Sequence, residues 1–495
     1  MKLTITPYRW LYLFIFIHIM VWTLVPFCVR FSLPMDALEG TIWGRSLAWG
    51  YDKNPFLNGW LTEIAVWLGG HSDWVIYLFS QLSVGICFFC VWQLGKRIVP
   101  PLYALLAVLL LEGVQYYNIH SIDFNDNTLE LGLWSLTILY FYLALRIGET
   151  RQWLFTGIFA SLSMMTKYYS IVLLLPMLVF LIVHQRKSFL QKSFYWGLGI
   201  FILMMIPHII WLFCHDFITL NYAVNRVAAD ATWWNHIRFP LGFTYQQFVA
   251  FAPALVLFSA LLIGNRPCFI RPKPLVNSFD KLFLLYVGLG PFFLTLLLSF
   301  ITGMRLRAGW GQPLLSLWSL LLLIWLMPTI TAPRFYRFIL VYVVVFSLAV
   351  FGYCNALIKA ELPSSANFPG KNIASDLTTS WHEKFHAPLA FVAGPRWLAG
   401  NIAFYSKDKP KVFIDWNKKV SPWIDEAALK NKGAIFVWDL TEDGQTSRKE
   451  VVKRFPQLLQ SENLHFAWMR NKNMKPFKVI VAFLPPENDS SVHAS

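Results

Sequence analysis

The chain has 495 residues, 56% of them hydrophobic and 17% aromatic, with a mean hydropathy of +0.50. Charged residues make up only 14%, well under the roughly 25% usual in soluble domains. That excludes an ordinary soluble protein and leaves room for about ten membrane spans of roughly 20 residues plus one domain of ordinary size. The net charge of +15 does not indicate nucleic acid, because many lysines and arginines sit in short links between hydrophobic runs, where the positive-inside rule puts them.

A first span is expected at about residues 9 to 29, after Lys2 and Arg9, with a cytoplasmic N-terminus. Leu11 to Val25 is apolar, but no small-residue cleavage site follows, so it reads as a span and not as a cleaved signal. Met35 to Leu61 then lies outside. The spacing predicts a helix over Asp36 to Trp49, with Asp36 and Glu39 on one face and Leu38, Ile42 and Leu47 on another, lying in the membrane interface. Asn54-Pro55 follows it as a stop.

Further spans are expected near 74 to 94, 98 to 117 and 128 to 145, with the polar turn Asn118 to Asn127 outside. Trp153 to His184 reads as two short helices pivoting at Thr166-Lys167-Tyr168. A span near 194 to 214 opens into an outside loop, His215 to Gln247. The next, near 248 to 264, ends in a basic link with Arg266, Arg271 and Lys273. Spans near 282 to 301 and 311 to 327 and a last one ending near Cys354 bring the expected total to about eleven, with the C-terminus outside.

The chain divides by composition into a membrane module, 1–355, and a soluble part, 356–495. In the latter, an apolar run at Leu389 to Val392 and strand patterns at Val412 to Ile414, Ala434 to Trp438 and near His465 and Val479 alternate with helices at Pro395 to Tyr405, from Pro422, and at Ser447 to Leu459. That alternation indicates a small α/β layer domain, and Pro486 to Ser495 reads as a frayed tail.

Cys28, Cys87, Cys90, Cys214, Cys268 and Cys354 all lie in or beside apolar segments. The Cys87/Cys90 pair has no flanking ligands and reads as small buried residues. His18 and His208 lie singly on apolar spans, and His71, His120, His215 and His236 show no metal-binding spacing.

Basic residues on the expected outer face are not explained by the topology rule. Arg45, Lys53, Lys167, Arg226, Arg238, Arg305 and Arg307 all fall there, alongside Asp36, Glu39, Asp123 and Asp126. Ionisable groups near membrane depth mark pathways or polar cavities, and a phosphate or pyrophosphate at headgroup level is the matching ligand. A carboxylate beside them is suited to act as general base. Plainer readings stand next to this one. Asp36 and Glu39 cap the interfacial helix or pair with Arg45, Lys53 snorkels to the headgroups, Arg305 and Arg307 bind anionic lipid, and Lys167 pairs with Asp123 or Asp126.

The acidic pair in Asp36-Ala37-Leu38-Glu39, followed by Lys53-Asn54-Pro55-Phe56 ahead of Trp60-Leu61, resembles the GT-C glycosyltransferases of the aminoarabinose transferase and protein mannosyltransferase type. Phe124-Asn125-Asp126-Asn127, the Thr166-Lys167 turn and the stretch from His215-Asp216-Phe217 to Asn225-Arg226 agree, and the similarity spans roughly residues 5 to 350. The sequence departs from the commoner K-P-P-L in having Asn54 and Phe56. The resemblance implies a polytopic helical enzyme with a periplasmic C-terminal α/β domain, taking a sugar from a polyprenyl-phosphate donor at the periplasmic face of a bacterial inner membrane. By position, Asp36 would be the catalytic carboxylate, assisted by Glu39. Lys53 and Arg226 would hold the donor phosphate, and Lys167, Asp126, Arg45, Arg305 and Arg307 would form the supporting polar network. A divalent cation near Asp36 and Glu39 is left open.

No nucleotide-binding glycine loop is present, in keeping with a lipid-linked donor. The expected function is transfer of a sugar to an envelope acceptor such as lipid A or another glycolipid. Transfer to Ser or Thr of proteins is the alternative within the class. A lipid-linked-sugar transporter or flippase is the rival outside it, but the outer-face charges cluster in asymmetric loops instead of paired halves.

Overall fold

The computed structural model describes residues 6–70, 72–227, 232–263, 276–439, 449–470 and 474–487. Lys2, His71, Arg266, Cys268, Arg271, Lys273, Ser447 and the chain from 488 lie outside the described residues. The structure separates into two compact units that do not follow the boundary expected at 355. One comprises 1–24, 53–57 and 78–353, and the other 25–52, 58–77 and 354–495.

The helices run in chain order as α1 (Pro7–Val29), α2 (Met35–Gly44), α3 (Leu57–Gly69), α4 (Asp73–Ile98), α5 (Pro101–Leu111), α6 (Asp126–Ile147), α7 (Thr150–Thr166), α8 (Ile171–His184), α9 (Lys192–Cys214), α10 (Ile218–Val227), α11 (Asn235–Leu262), α12 (Ser278–Gly288), α13 (Gly290–Thr302), α14 (Trp318–Leu326) and α15 (Ala332–Ile358). Among the described residues, seven spans are by length and composition long and apolar enough to cross a membrane, or up to nine if each of two bent helix pairs is counted as one.

Each of the eleven expected segments corresponds to a helix, but eleven full spans are not confirmed. α7 and α8 are only 17 and 14 residues long, and the pairs at 101–122 and 308–326 bend by 83° and 52°. The break between α7 and α8 falls at Lys167, which is extended (φ −159°), and a 3₁₀ turn, Tyr168–Ser170. α11 begins at Asn235, well before the expected 248. Hydropathy registers only the membrane-depth part of a helix, whereas backbone hydrogen bonding carries this one on through Thr244 to Gln247.

The core of this unit is aliphatic and aromatic, with Leu105, Leu110, Tyr117, Trp134, Phe180, Phe283 and Leu320 all buried. His18 is satisfied by Glu112 and by Gln81 at 3.1 Å, and Trp22 donates to Glu112 at 3.0 Å. His208 is hydrogen-bonded to the Tyr168 hydroxyl at 2.6 Å. Cys87 and Cys90 are buried and free.

The second unit is built on a five-stranded sheet of order β2-β1-β3-β5-β4. Its strands are β1 (Phe391–Gly394), β2 (Lys411–Ile414), β3 (Ala434–Asp439), β4 (Glu462–Phe466) and β5 (Phe477–Leu484). β1 is parallel to β2 and β3, and β5 is antiparallel to β3 and β4, so the expected α/β layer is present. α16 (Gly370–Phe385), which the sequence reading passed over, buries Ile373, Leu377, Trp381 and Phe385 at helical spacing. Helices α17 (Arg396–Tyr405) and α18 (Glu426–Lys432) and the helical residues 449–454, within the helix expected from Ser447 to Leu459, belong to it as well.

α2 belongs to this unit and differs from expectation. It stops at Gly44 instead of Trp49, and Leu47 adopts a positive φ of 44°. It is buried from Ala37 to Gly44 and is held by protein on both sides, so it does not simply lie in the interface. A Cβ on Gly44 would sit 2.5 Å from the Gly59 carbonyl, and one on Gly400 of α17 would sit 2.8 Å from Ile42 Cδ1. The approach at Gly44, backbone against backbone, requires glycine.

Candidate active site

In the first unit the basic residues converge. Arg226 lies in the last turn of α10, and the Arg305 N–H donates to the Val227 carbonyl at 3.2 Å, tying the stretch after α13 to the end of that helix. Arg307 is half-buried. Burial, then the neighbouring Arg226 and Arg305, hold its pKa below the usual arginine value. Its Nε is buried without a hydrogen-bond partner. Among the described residues no carboxylate pairs with Arg226, Arg305 or Arg307. Lys53 sits with Nζ 5.8 Å from the ring centroid of Tyr222, one turn before Arg226. Like charges gathered in this way repel one another, so an anion bound among them gains charge-assisted hydrogen bonds and relieves the repulsion.

A second polar network is centred on Lys167. Lys167 Nζ lies 3.2 Å from Asp126 Oδ2, bonds to Asn127 Oδ1 and stands 5.3 Å from the Trp310 ring. Of the two partners the sequence left open, Asp126 is the one that pairs. Asn125 caps α6 by accepting from the Thr128 N–H at 3.1 Å, which places Asp126 and Asn127 in its first turn. Asn54 Nδ2 donates to Asp126 Oδ1 at 3.2 Å, so the residue that departs from the family pattern ties the Lys53 loop to this ion pair. Both members of the pair are about 15% exposed or less. Removing one partner of such a pair costs about 3–5 kcal/mol at full burial. Lys167→Ala is therefore expected to lower the melting temperature in detergent, and the double variant Lys167→Ala/Asp126→Asn to regain most of the loss. Equal destabilisation by both would contradict the pairing.

In the second unit Asp36 is exposed in the first turn of α2, where the helix dipole favours an ionised carboxylate. Glu39 is buried and engaged differently from expectation. Arg396 Nη1 donates to Glu39 Oε1, and Arg396 Nη2 donates to Asp52 Oδ2 at 2.6 Å. Burial acts to lower the Arg396 pKa, but Glu39 and Asp52 outweigh it and raise the pKa above the usual value. With its charge already answered, Glu39 is better placed to hold α2 than to share in proton transfer. Arg45 is exposed, 3.3 Å from Glu63, and donates to the Lys409 carbonyl at 2.9 Å. Among the described residues no group of three or more His, Cys, Asp or Glu side chains is arranged to hold a metal ion.

Tyr222, Asn54, Asn127, Trp310, Asp52 and Arg396 are the polar and aromatic participants that sequence reasoning missed. Only Asn54, as a departure from K-P-P-L, and Asn127, in the stretch Phe124-Asn125-Asp126-Asn127, carried a signal. Arg396 showed none beyond being the lone basic residue of an otherwise apolar helix.

A many-helix module with helices long and apolar enough to cross a membrane and bearing a cation cluster, followed in the chain by a C-terminal α/β part, defines a multi-pass membrane protein. Residues 53–211 match the family model described as dolichyl-phosphate-mannose-protein mannosyltransferase, and that stretch holds Lys53, Asp126 and Lys167. The chain is similar in structure to ArnT from Cupriavidus metallidurans bound to undecaprenyl phosphate, with TM-score 0.53 and 16% identity over 96% of this chain and 98% of that one. It is similar also to ArnT from the same organism in the apo state, with TM-score 0.51 and 15% identity over the same shares. At these identities the likeness shows the fold. No curated protein is matched.

Proposed function

We propose that the protein is a membrane glycosyltransferase that takes a sugar from a polyprenyl-phosphate donor and transfers it, with inversion, to an envelope acceptor such as lipid A or another glycolipid. The observation that carries this reading is the gathering of Arg226, Arg305 and Arg307, with no carboxylate among the described residues to neutralise them and with Arg307 Nε unpartnered. A phosphate is the anion such a cluster suits, and ArnT bound to undecaprenyl phosphate supplies the lipid class.

In this reading Lys53 and Arg226 hold the donor phosphate, and Arg305 and Arg307 add to its field. The acceptor oxygen attacks the anomeric carbon, the bond from that carbon to the phosphate oxygen breaks with its electrons leaving on the phosphate, and Asp36 takes the acceptor proton. Cations around the departing phosphate stabilise the charge that develops there. The enzyme sits in a bacterial inner membrane with its N-terminus cytoplasmic and its C-terminal domain periplasmic. The family model favours one alternative acceptor, Ser or Thr of a protein.

The test compares binding of undecaprenyl phosphate and undecaprenol to the purified full-length protein. Affinity for the phosphate at least about tenfold higher, and falling with salt, supports the reading. Equal binding of the two lipids contradicts it.

A further inference from the structure

One residue of the C-terminal domain grips the first outer loop at two points. Arg396 opens α17 and is 12% exposed. Besides its bonds to Glu39 and Asp52, its Nη1 lies 3.4 Å from Asp52 Oδ1. Glu39 follows Asp36 by one helical turn, and Asp52 directly precedes Lys53. The Trp43 indole N–H donates to Asp52 Oδ1 at 3.1 Å. The Trp43 ring lies 6.0 Å from the Arg396 guanidinium and stacks on Tyr51 at 5.3 Å with an interplanar angle of 8°.

A guanidinium is a planar fork with donors in fixed directions, so it can hold two carboxylates in a single arrangement where a lysine, a point charge on a flexible stem, cannot. Burying two acids beside one base is favourable only while that geometry is kept. The cluster therefore resists displacement of either carboxylate.

We propose that Arg396 is a positioning residue for the candidate site, fixing from the C-terminal domain both the helix that carries Asp36 and the residue that leads into Lys53. The inference rests on the roles given to those two residues above, and it gives the C-terminal domain a part in transfer without contact to the reacting groups.

The test uses the full-length protein in detergent as wild type, as Arg396→Lys, and as the triple variant Glu39→Gln/Asp52→Asn/Arg396→Gln, in which the two carboxylates and the guanidinium are neutralised together. Hydrogen exchange over residues 35–53 and affinity for undecaprenyl phosphate are measured together. The expected result for Arg396→Lys is exchange about tenfold faster over 35–53, wild-type protection in β1, β3 and β5, and affinity about tenfold weaker. Should Arg396→Lys lose protection in those strands as well, the triple variant carries the same comparison. Unchanged exchange over 35–53 overturns the proposal, as does faster exchange with wild-type affinity, which would make the role purely structural. A wild type that binds no undecaprenyl phosphate overturns the donor reading instead, and the exchange measurement then decides alone whether Arg396 fixes the loop.

Discussion

Asp36→Asn is expected to lower sugar transfer by at least about a hundredfold, the lower end of what a positioned general base contributes, with membrane insertion and donor affinity unchanged. The substitution keeps the shape of the side chain and removes its ability to accept a proton. Asp36 is suited to the role because it is exposed at the start of α2. Glu39→Gln should behave differently, loosening the cluster around Arg396 without removing the base, so its loss in transfer should be the smaller of the two. The measurement is product formation in membranes holding equal amounts of each variant, read at saturating donor. Full activity in Asp36→Asn would refute the assigned base.

The second large effect is expected on donor binding. Hydrogen bonds to charged groups contribute about 1.5–3 kcal/mol each, so Lys53→Ala and Arg226→Ala should each weaken affinity for undecaprenyl phosphate by about 10–100-fold, since about 1.4 kcal/mol is one factor of ten. The double variant should fall short of the product of the two, because neighbouring cations share one anion and one another's repulsion. Affinity for undecaprenol, which lacks the phosphate, should not change. Titration of the purified variants with both lipids checks this, and an equal loss for both lipids would mean that the cations shape the lipid groove and do not hold the phosphate.

Much of the fold was legible because hydrophobicity writes membrane helices plainly. The apolar runs at 9 to 29 and 194 to 214 became α1 and α9 with little change, and Thr166-Lys167 marked a true break because a lysine and a polar turn interrupt an apolar run. The C-terminal strands were legible as short apolar runs between turn residues. What hydropathy did not reveal was where protein replaces lipid as the neighbour. α2 reads as amphipathic, yet it is buried on both sides, and Gly44 allows a closer backbone approach than any other residue would. Composition likewise does not show that residues 25–52 and 58–77 group by contact with residues 354–495.

The cationic half of the candidate site was legible from charge in the wrong place. Lys53, Lys167, Arg226, Arg305 and Arg307 have no topological reason to lie where they do, and the structure gathers Arg226, Arg305 and Arg307 and pairs Lys167 with Asp126. The partners of the carboxylates were not legible. Arg396 lies 357 residues from Glu39 and 344 from Asp52, and no local spacing relates residues so far apart. Nor was the pairing of Arg45 with Glu63, 18 residues away, legible.

The most direct test of the account is mass spectrometry of envelope lipids and glycoproteins from cells lacking this protein, complemented with the wild type or with Asp36→Asn. The account predicts that one sugar-sized mass increment disappears and returns only with the wild type, the molecule that carries it identifying the acceptor. Restoration by both versions, or an unchanged set of acceptors with a lipid-linked sugar accumulating in the membrane, would contradict it and favour transport of the lipid-linked sugar over its transfer.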